Sequence, residues 1–224
     1  MQSKVIRPLL GAFMTFGMIS AAAADPPAGI AVDPQKRTVT VDCKVAPRKL
    51  PKLDEVYPIE VVATYPAPKG QKAHETVVTF EARPSEIAAA VAGLGLKPGI
   101  PALGEGARAA GPEVKVSLLI PGADGKAKKV AVEKCLVDRK TGKAMPALKW
   151  HFTGSAAKQA DPAKPETTYG ADLTGTLIAL FPVTADTVFQ TNLTMKDEPL
   201  LKLETNKAAL PPEGTAVKLL IEVK

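Results

Sequence analysis

Large flat side chains are scarce in this 224-residue chain, where phenylalanine, tryptophan and tyrosine together make up 4%. Carbohydrate platforms and single-stranded nucleic-acid grooves rely on stacked aromatics, so both are disfavoured at the outset. Histidine is scarcer still: His74 and His151 are the only two. Val78 stands four residues after His74, so the two-histidine zinc-protease motif is absent. Cys43 and Cys135 are the only cysteines and do not have the spacing of a metal or redox pair. Gly93, Gly95 and Gly99 follow a helical pattern, whereas a phosphate-binding loop would start one. Gly154-Ser155 lacks the glycine two residues beyond the serine that a hydrolase elbow needs. No cofactor and no metal site is expected. The apolar run Pro8–Ile19 falls short of the ~20 residues that span a bilayer, so no transmembrane anchor is expected either.

What is present begins with an address. Lys4 and Arg7 precede that apolar run, and Ser20-Ala21-Ala22-Ala23-Ala24 follows it. A basic start, a short apolar centre and small residues at the end make a secretory signal peptide, residues 1–24, cut after Ala24. The expected location is periplasmic or secreted. The mature chain keeps 27 basic and 23 acidic residues, a balance of +4 with the signs mixed. Lys126, Lys128 and Lys129 form its densest basic cluster, beside the turn pair Asp124-Gly125. That is too short, and too poor in aromatics, for a nucleic-acid partner. Cys43 and Cys135 have two readings. A disulfide between them would close a loop of about 90 residues and stabilise by roughly 4 kcal/mol in an oxidising compartment. Alternatively they are two separate buried thiols, since Cys43 continues the alternation Val39, Val41, Cys43, Val45.

The pattern along the mature chain predicts one fold. Residues 25–35 form a loose, Pro-rich lead-in, and residues 36–224 a single domain. Strands are expected over 37–45, 59–64, 76–80, 149–153, 176–181 and 217–223 from alternation and β-branched content. Val114, Val116, Leu118 and Ile120 alternate with polar residues, and Asp124-Gly125 then turns the chain towards Val130 and Val132, a hairpin. Residues 84–94 read as the one principal helix, with Pro84 in its first turn and Ile87, Val91 and Leu94 on one face. Residues 97–111 and 156–168 read as loops. The expected class is α+β: a mostly antiparallel sheet with that single helix.

Several strings taken together carry a family resemblance. Lys72-Ala73-His74-Glu75-Thr76 runs into a strand, Pro84-Ser85-Glu86-Ile87 opens the helix, and Leu94-Gly95-Leu96-Lys97-Pro98-Gly99 closes it. Asp138-Arg139-Lys140-Thr141-Gly142-Lys143, Trp150-His151-Phe152-Thr153-Gly154 and Tyr169-Gly170-Ala171-Asp172 follow in order. Over about residues 35–224 the chain resembles the YdjY-domain family of secreted bacterial proteins. The resemblance implies envelope localisation and one domain, and no reaction. Relatives often carry a cysteine shortly before the Lys-x-His-Glu string, where this chain has Ala63-Thr64. A redox or metal role resting on that cysteine does not carry over.

Lys72, His74 and Glu75, with Asp138 and Asp172, are the candidate site residues. Charged groups at the ends of apolar strands are costly to bury alone, so they are expected to pair or to face a ligand. Read as a strand, residues 74 and 75 point to opposite faces and cannot form a tight pair. Three functions compete: a non-enzymatic envelope protein that binds a protein partner or small ligand, a hydrolase using His74 with Glu75, Asp138 or Asp172, and a structural or assembly factor without a pocket.

Overall fold

The computed structural model describes residues 27–122 and 124–224; the expected signal peptide and cleavage point lie outside them. In chain order the elements are β1 (Ile30–Asp33), β2 (Thr38–Val45), β3 (Val61–Thr64), β4 (Val78–Phe80), α1 (Pro84–Gly93), β5 (Glu113–Pro121) and β6 (Ala127–Ala131). There follow β7 (Leu136–Asp138), β8 (Trp150–Phe152), β9 (Ala157–Gln159), β10 (Thr167–Tyr169) and α2 (Gly170–Thr174). The last four are β11 (Thr176–Ala179), β12 (Phe189–Thr191), β13 (Leu203–Thr205) and β14 (Ala216–Val223).

The strands do not make an open α+β sheet. Eight of them close into a barrel in the order β2-β14-β5-β8-β12-β11-β3-β4, and β4 returns to β2. That last seam is short: Cys43 opposes Phe80, Lys44 opposes Thr79 and Val45 opposes Val78. β3–β4 and β11–β12 pair in parallel and the other barrel pairs are antiparallel. The expected principal helix exists as α1, which packs against β2 and the five-residue α2 and buries Ile87 and Val91 in the same core as the barrel strands. The class is therefore predominantly β, and the α+β expectation is corrected by this closure.

Register explains why the sheet closes. Opposed residues share a face, and the buried positions stay opposed from strand to strand. Val41 faces Leu219, which faces Leu118; Val114 faces Trp150; Phe152 faces Phe189, which faces Ile178. Ile178 faces Ala63, Ala63 faces Val78, and Val78 faces Val45 back on β2. One apolar face thus runs around the ring and fills the interior. The Phe152 and Phe189 rings meet there at 5.4 Å. The Trp150 indole N–H donates to the buried Glu133 at 2.9 Å, so this large side chain is satisfied as well as packed.

Beyond the barrel, β1 lies beside β4 along the same edge of β2, and β6 pairs with β5. β1 falls in the segment expected to be a loose lead-in. The supposed polar loop 156–168 holds the β9–β10 hairpin. Residues 97–111 remain a loop, strapped to β12 by Gln190, whose amide accepts from Ala102 N and donates to Ala102 O. Cys43 and Cys135 are free and buried, in place of the disulfide expectation. No helix among the described residues is long and apolar enough to cross a membrane.

Candidate functional site

Lys72, His74 and Glu75 come together on the connection between β3 and β4. Residues 73–75 form a single 3₁₀ turn and not a strand entry, which overturns the opposite-face expectation. The turn brings His74 Nε2 to 3.1 Å from Glu75 Oε1. Lys72 Nζ bridges two carboxylates, Glu60 Oε2 and Glu75 Oε2, each at 2.7 Å. The Tyr57 ring meets the His74 imidazole edge-on, with centroids 5.1 Å apart. Burial pushes the Glu75 carboxyl up and the Lys72 bond opposes this; the nearby Glu60 charge leaves the net shift upward. For Lys72, burial pulls down, but its bonds to Glu60 and Glu75 outweigh it and hold the ammonium above its ordinary range.

The residue that organises this region, Arg48, carried no signal in the sequence. Its guanidinium is buried and donates three ways: Nε to Glu204 Oε1 at 2.6 Å, Nη1 to the His74 carbonyl at 3.1 Å, and Nη2 to the Tyr57 carbonyl. Its backbone N–H donates to Glu213 Oε1 at 3.0 Å. One side chain therefore ties the 57 and 74 connections to β13. Burial pushes the Glu204 carboxyl up, but the Arg48 bond and the Thr205 N–H outweigh it and hold it below the usual carboxylate range. Arg48 was hidden because its partners lie 9, 26, 156 and 165 residues away, where no local pattern can reveal them.

Arg48 and Glu204 form one wall of a cleft of about 590 Å³. Arg139 and Lys207 stand on its rim, and Val56, Leu210 and Pro211 give it aliphatic walls. Glu204 has its Arg48 partner, while Arg139 and Lys207 have no carboxylate within 4.0 Å among the described residues. A larger groove of about 620 Å³ lies on the outer face of the barrel. Of the four charged side chains that line it, Asp42 and Lys218 pair at 2.7 Å, while Lys44 and Glu81 have no ion partner within 4.0 Å among the described residues.

The remaining predicted residues do not join the cluster. Asp138, at the end of β7, folds its carboxylate back onto its own turn, accepting from Lys140 N at 3.1 Å and the Thr141 hydroxyl at 3.0 Å. The Lys140 N–H is the main reason its carboxyl lies below its ordinary value; burial opposes this and the Thr141 hydroxyl adds to it. Asp172 works near α1, accepting from Ser85 N at 2.8 Å and Ser85 Oγ at 2.6 Å, which joins α2 to the first turn of α1. His151 sits apart, with Nδ1 3.0 Å from the Gly111 carbonyl. Burial pushes both cysteine thiols up to about 12, which leaves them protonated and unreactive as nucleophiles. Among the described residues no group of three or more His, Cys, Asp or Glu side chains is placed to hold a metal ion. The arrangement gathers paired charges beside a cleft.

No curated protein and no solved structure matches the chain. The sequence model of the YdjY domain matches residues 30–222, from the first residue of β1 into β14. That span takes in every barrel strand as well as the Arg48 cleft, and the chain belongs to the YdjY-domain family.

Proposed function

We propose that this is a non-enzymatic binding protein of the bacterial cell envelope, with the Arg48 cleft as its site. The observation that carries the reading is a contrast in charge pairing. Lys72, His74, Glu75, Glu60, Arg48 and Glu204 are bonded to one another, as a supporting framework would be. Arg139 and Lys207 beside them are left without carboxylates at the mouth of an aliphatic-walled cleft. A ligand with an apolar body and an anionic group fits such a lining: the walls take the body, and the two cations take the charge. Pairing of the histidine and carboxylates with framework partners, and the dispersal of Asp138 and Asp172, weigh against the hydrolase alternative.

The test is titration of the mature, isotope-labelled chain with N-acetyl-leucyl-glutamate, followed by amide chemical shifts. Perturbations should concentrate at Val56, Glu204, Lys207 and Leu210, and the glutamine analogue should bind more weakly. Perturbations scattered over the barrel, or none at millimolar probe, would overturn the assignment. For location, the protein should be recovered from the periplasmic fraction with Asp25 at its N-terminus.

A further inference from the structure

We infer that a second, more basic cleft joins the Arg48 cleft to form one docking surface for an extended acidic peptide segment of a partner protein. The inference rests on the Arg48 cleft being a binding site, and it extends that site across the chain segment 206–212.

The two clefts adjoin along this segment. Lys207, Leu210, Pro211 and Pro212 line the first; Asn206, Ala208 and Ala209 line the second, which has a volume of about 380 Å³. The segment is a ridge whose successive residues are divided between two depressions. It is firmly held: Asn206 N donates to Cys135 O at 2.8 Å, Asn206 Nδ2 donates to Lys134 O at 2.9 Å, and Asn206 O accepts from Ala209 N and Leu210 N.

Charge decides the occupant. The first cleft carries Arg48, Arg139 and Lys207 against Glu204 and Glu213. The second is lined by Lys128, Lys129 and Lys134 without a carboxylate. Of these three only Lys129 has an ion partner among the described residues, Glu222 across the sheet. The surface therefore grows more positive from the first cleft to the second. Like charges clustered within about a Debye length (~8 Å at physiological salt) repel, and an anionic partner relieves that repulsion.

The walls choose among anionic partners. No aromatic side chain lines either cleft, which leaves a sugar chain or nucleic acid without a stacking surface. A lipid surface needs large apolar side chains to insert. The exposed ones, Ile100, Leu103, Leu173 and Leu200, line neither cleft, and Leu210 on the ridge is buried. An extended peptide meets both requirements. Its side chains alternate in direction, so one laid across the ridge can place an apolar side chain against Val56 and Leu210 and carboxylates against Arg139, Lys207, Lys128 and Lys134.

The test uses the mature chain and a short fluorescein-labelled peptide of Glu-Leu-Glu-Pro units, followed by anisotropy at low and physiological salt. Two double variants are compared: Arg139→Glu with Lys207→Glu in the first cleft, and Lys128→Glu with Lys134→Glu in the second. Lys52→Glu with Lys97→Glu serves as a charge-matched control, and circular dichroism checks that each variant folds. Each cleft variant should weaken binding by about tenfold or more, the control should not, and the glutamine version of the peptide should fail to bind. If only the first-cleft variant weakens binding, the shared surface is overturned while the Arg48 cleft stands. If neither does, both are overturned. Equal or tighter binding to vesicles containing anionic phospholipid, or to an acidic polysaccharide, with the same loss in the variants, would overturn the peptide assignment.

Discussion

Arg48 offers the sharpest test of how this molecule is held together, because one side chain serves three acceptors. Methionine at this position keeps the aliphatic stem and removes every donor. Glu204, the His74 carbonyl and the Tyr57 carbonyl would each lose their bond at once. Breaking a buried ion pair by deleting one partner typically costs about 3–5 kcal/mol, since the other charge is stranded. Glu204 keeps 20% of its side chain in contact with solvent, so water can take up part of the stranded charge. The low end, about 3 kcal/mol, is therefore expected for Arg48→Met. In a domain of this size that corresponds to a fall in Tm of about 6–12 °C.

Urea and thermal unfolding of the mature chain would measure it, with Glu204→Gln as the companion. The glutamine should cost stability in the native background and recover some of it when Arg48 is already methionine, because it removes the stranded charge. Acid titration adds an independent readout. The Glu204 carboxyl lies below its ordinary value in the folded state. Its contribution is therefore fully present above the unfolded carboxylate range and is lost as pH falls through the depressed folded value. The stability of the native chain should decline below about pH 5, and the Arg48→Met chain should show a shallower decline. A loss under about 1 kcal/mol, or equal costs of Glu204→Gln in both backgrounds, would refute the view that Arg48 organises the region.

Gly170→Ala should destabilise by about 1–3 kcal/mol, because the added carbon would sit 2.5 Å from the buried Asp186 Oδ1 and 2.7 Å from the Ala156 carbonyl. The same change at Gly93 meets nothing within 4 Å and should be neutral or mildly stabilising; equal melting of the two variants would contradict this packing. Native protein should resist iodoacetamide at both cysteines and react fully once unfolded, and a non-reducing peptide map should contain no Cys43–Cys135 species; finding one would disprove the free-thiol state. His74→Ala should cost about 1 kcal/mol through the lost Glu75 bond. Peptide affinity should be unchanged, because Arg48 binds the His74 carbonyl and not its ring; a large fall in affinity with unchanged melting would make the imidazole a ligand contact.

The parts of this fold that could be read from the sequence are those with their own local pattern. β5 and β14 show a two-residue period, Asp124-Gly125 turns the hairpin, and Pro84 starts α1. Closure has no such pattern. It depends on three-residue strands such as β8 and β12, too short to display a period, and on β3 and β11, buried on both faces and so without alternation. The candidate site divides in the same way. The Lys-Ala-His-Glu string pointed to a cluster of paired charges, yet its geometry was misjudged because a 3₁₀ turn replaces the expected strand entry. Arg48 was missed because every partner is distant along the chain. Closure also decides where function can reside. The apolar face turns inward around the whole ring, and buried Trp150, Phe152 and Phe189 occupy the interior. Under the proposed binding role, recognition falls to the connections outside the barrel, whose positions depend on long-range polar bonds. Arg48, the one buried cation among the described residues, stands in the wall of the cleft and ties the 57 and 74 connections to β13, so loosening it should disturb the cleft before it opens the barrel.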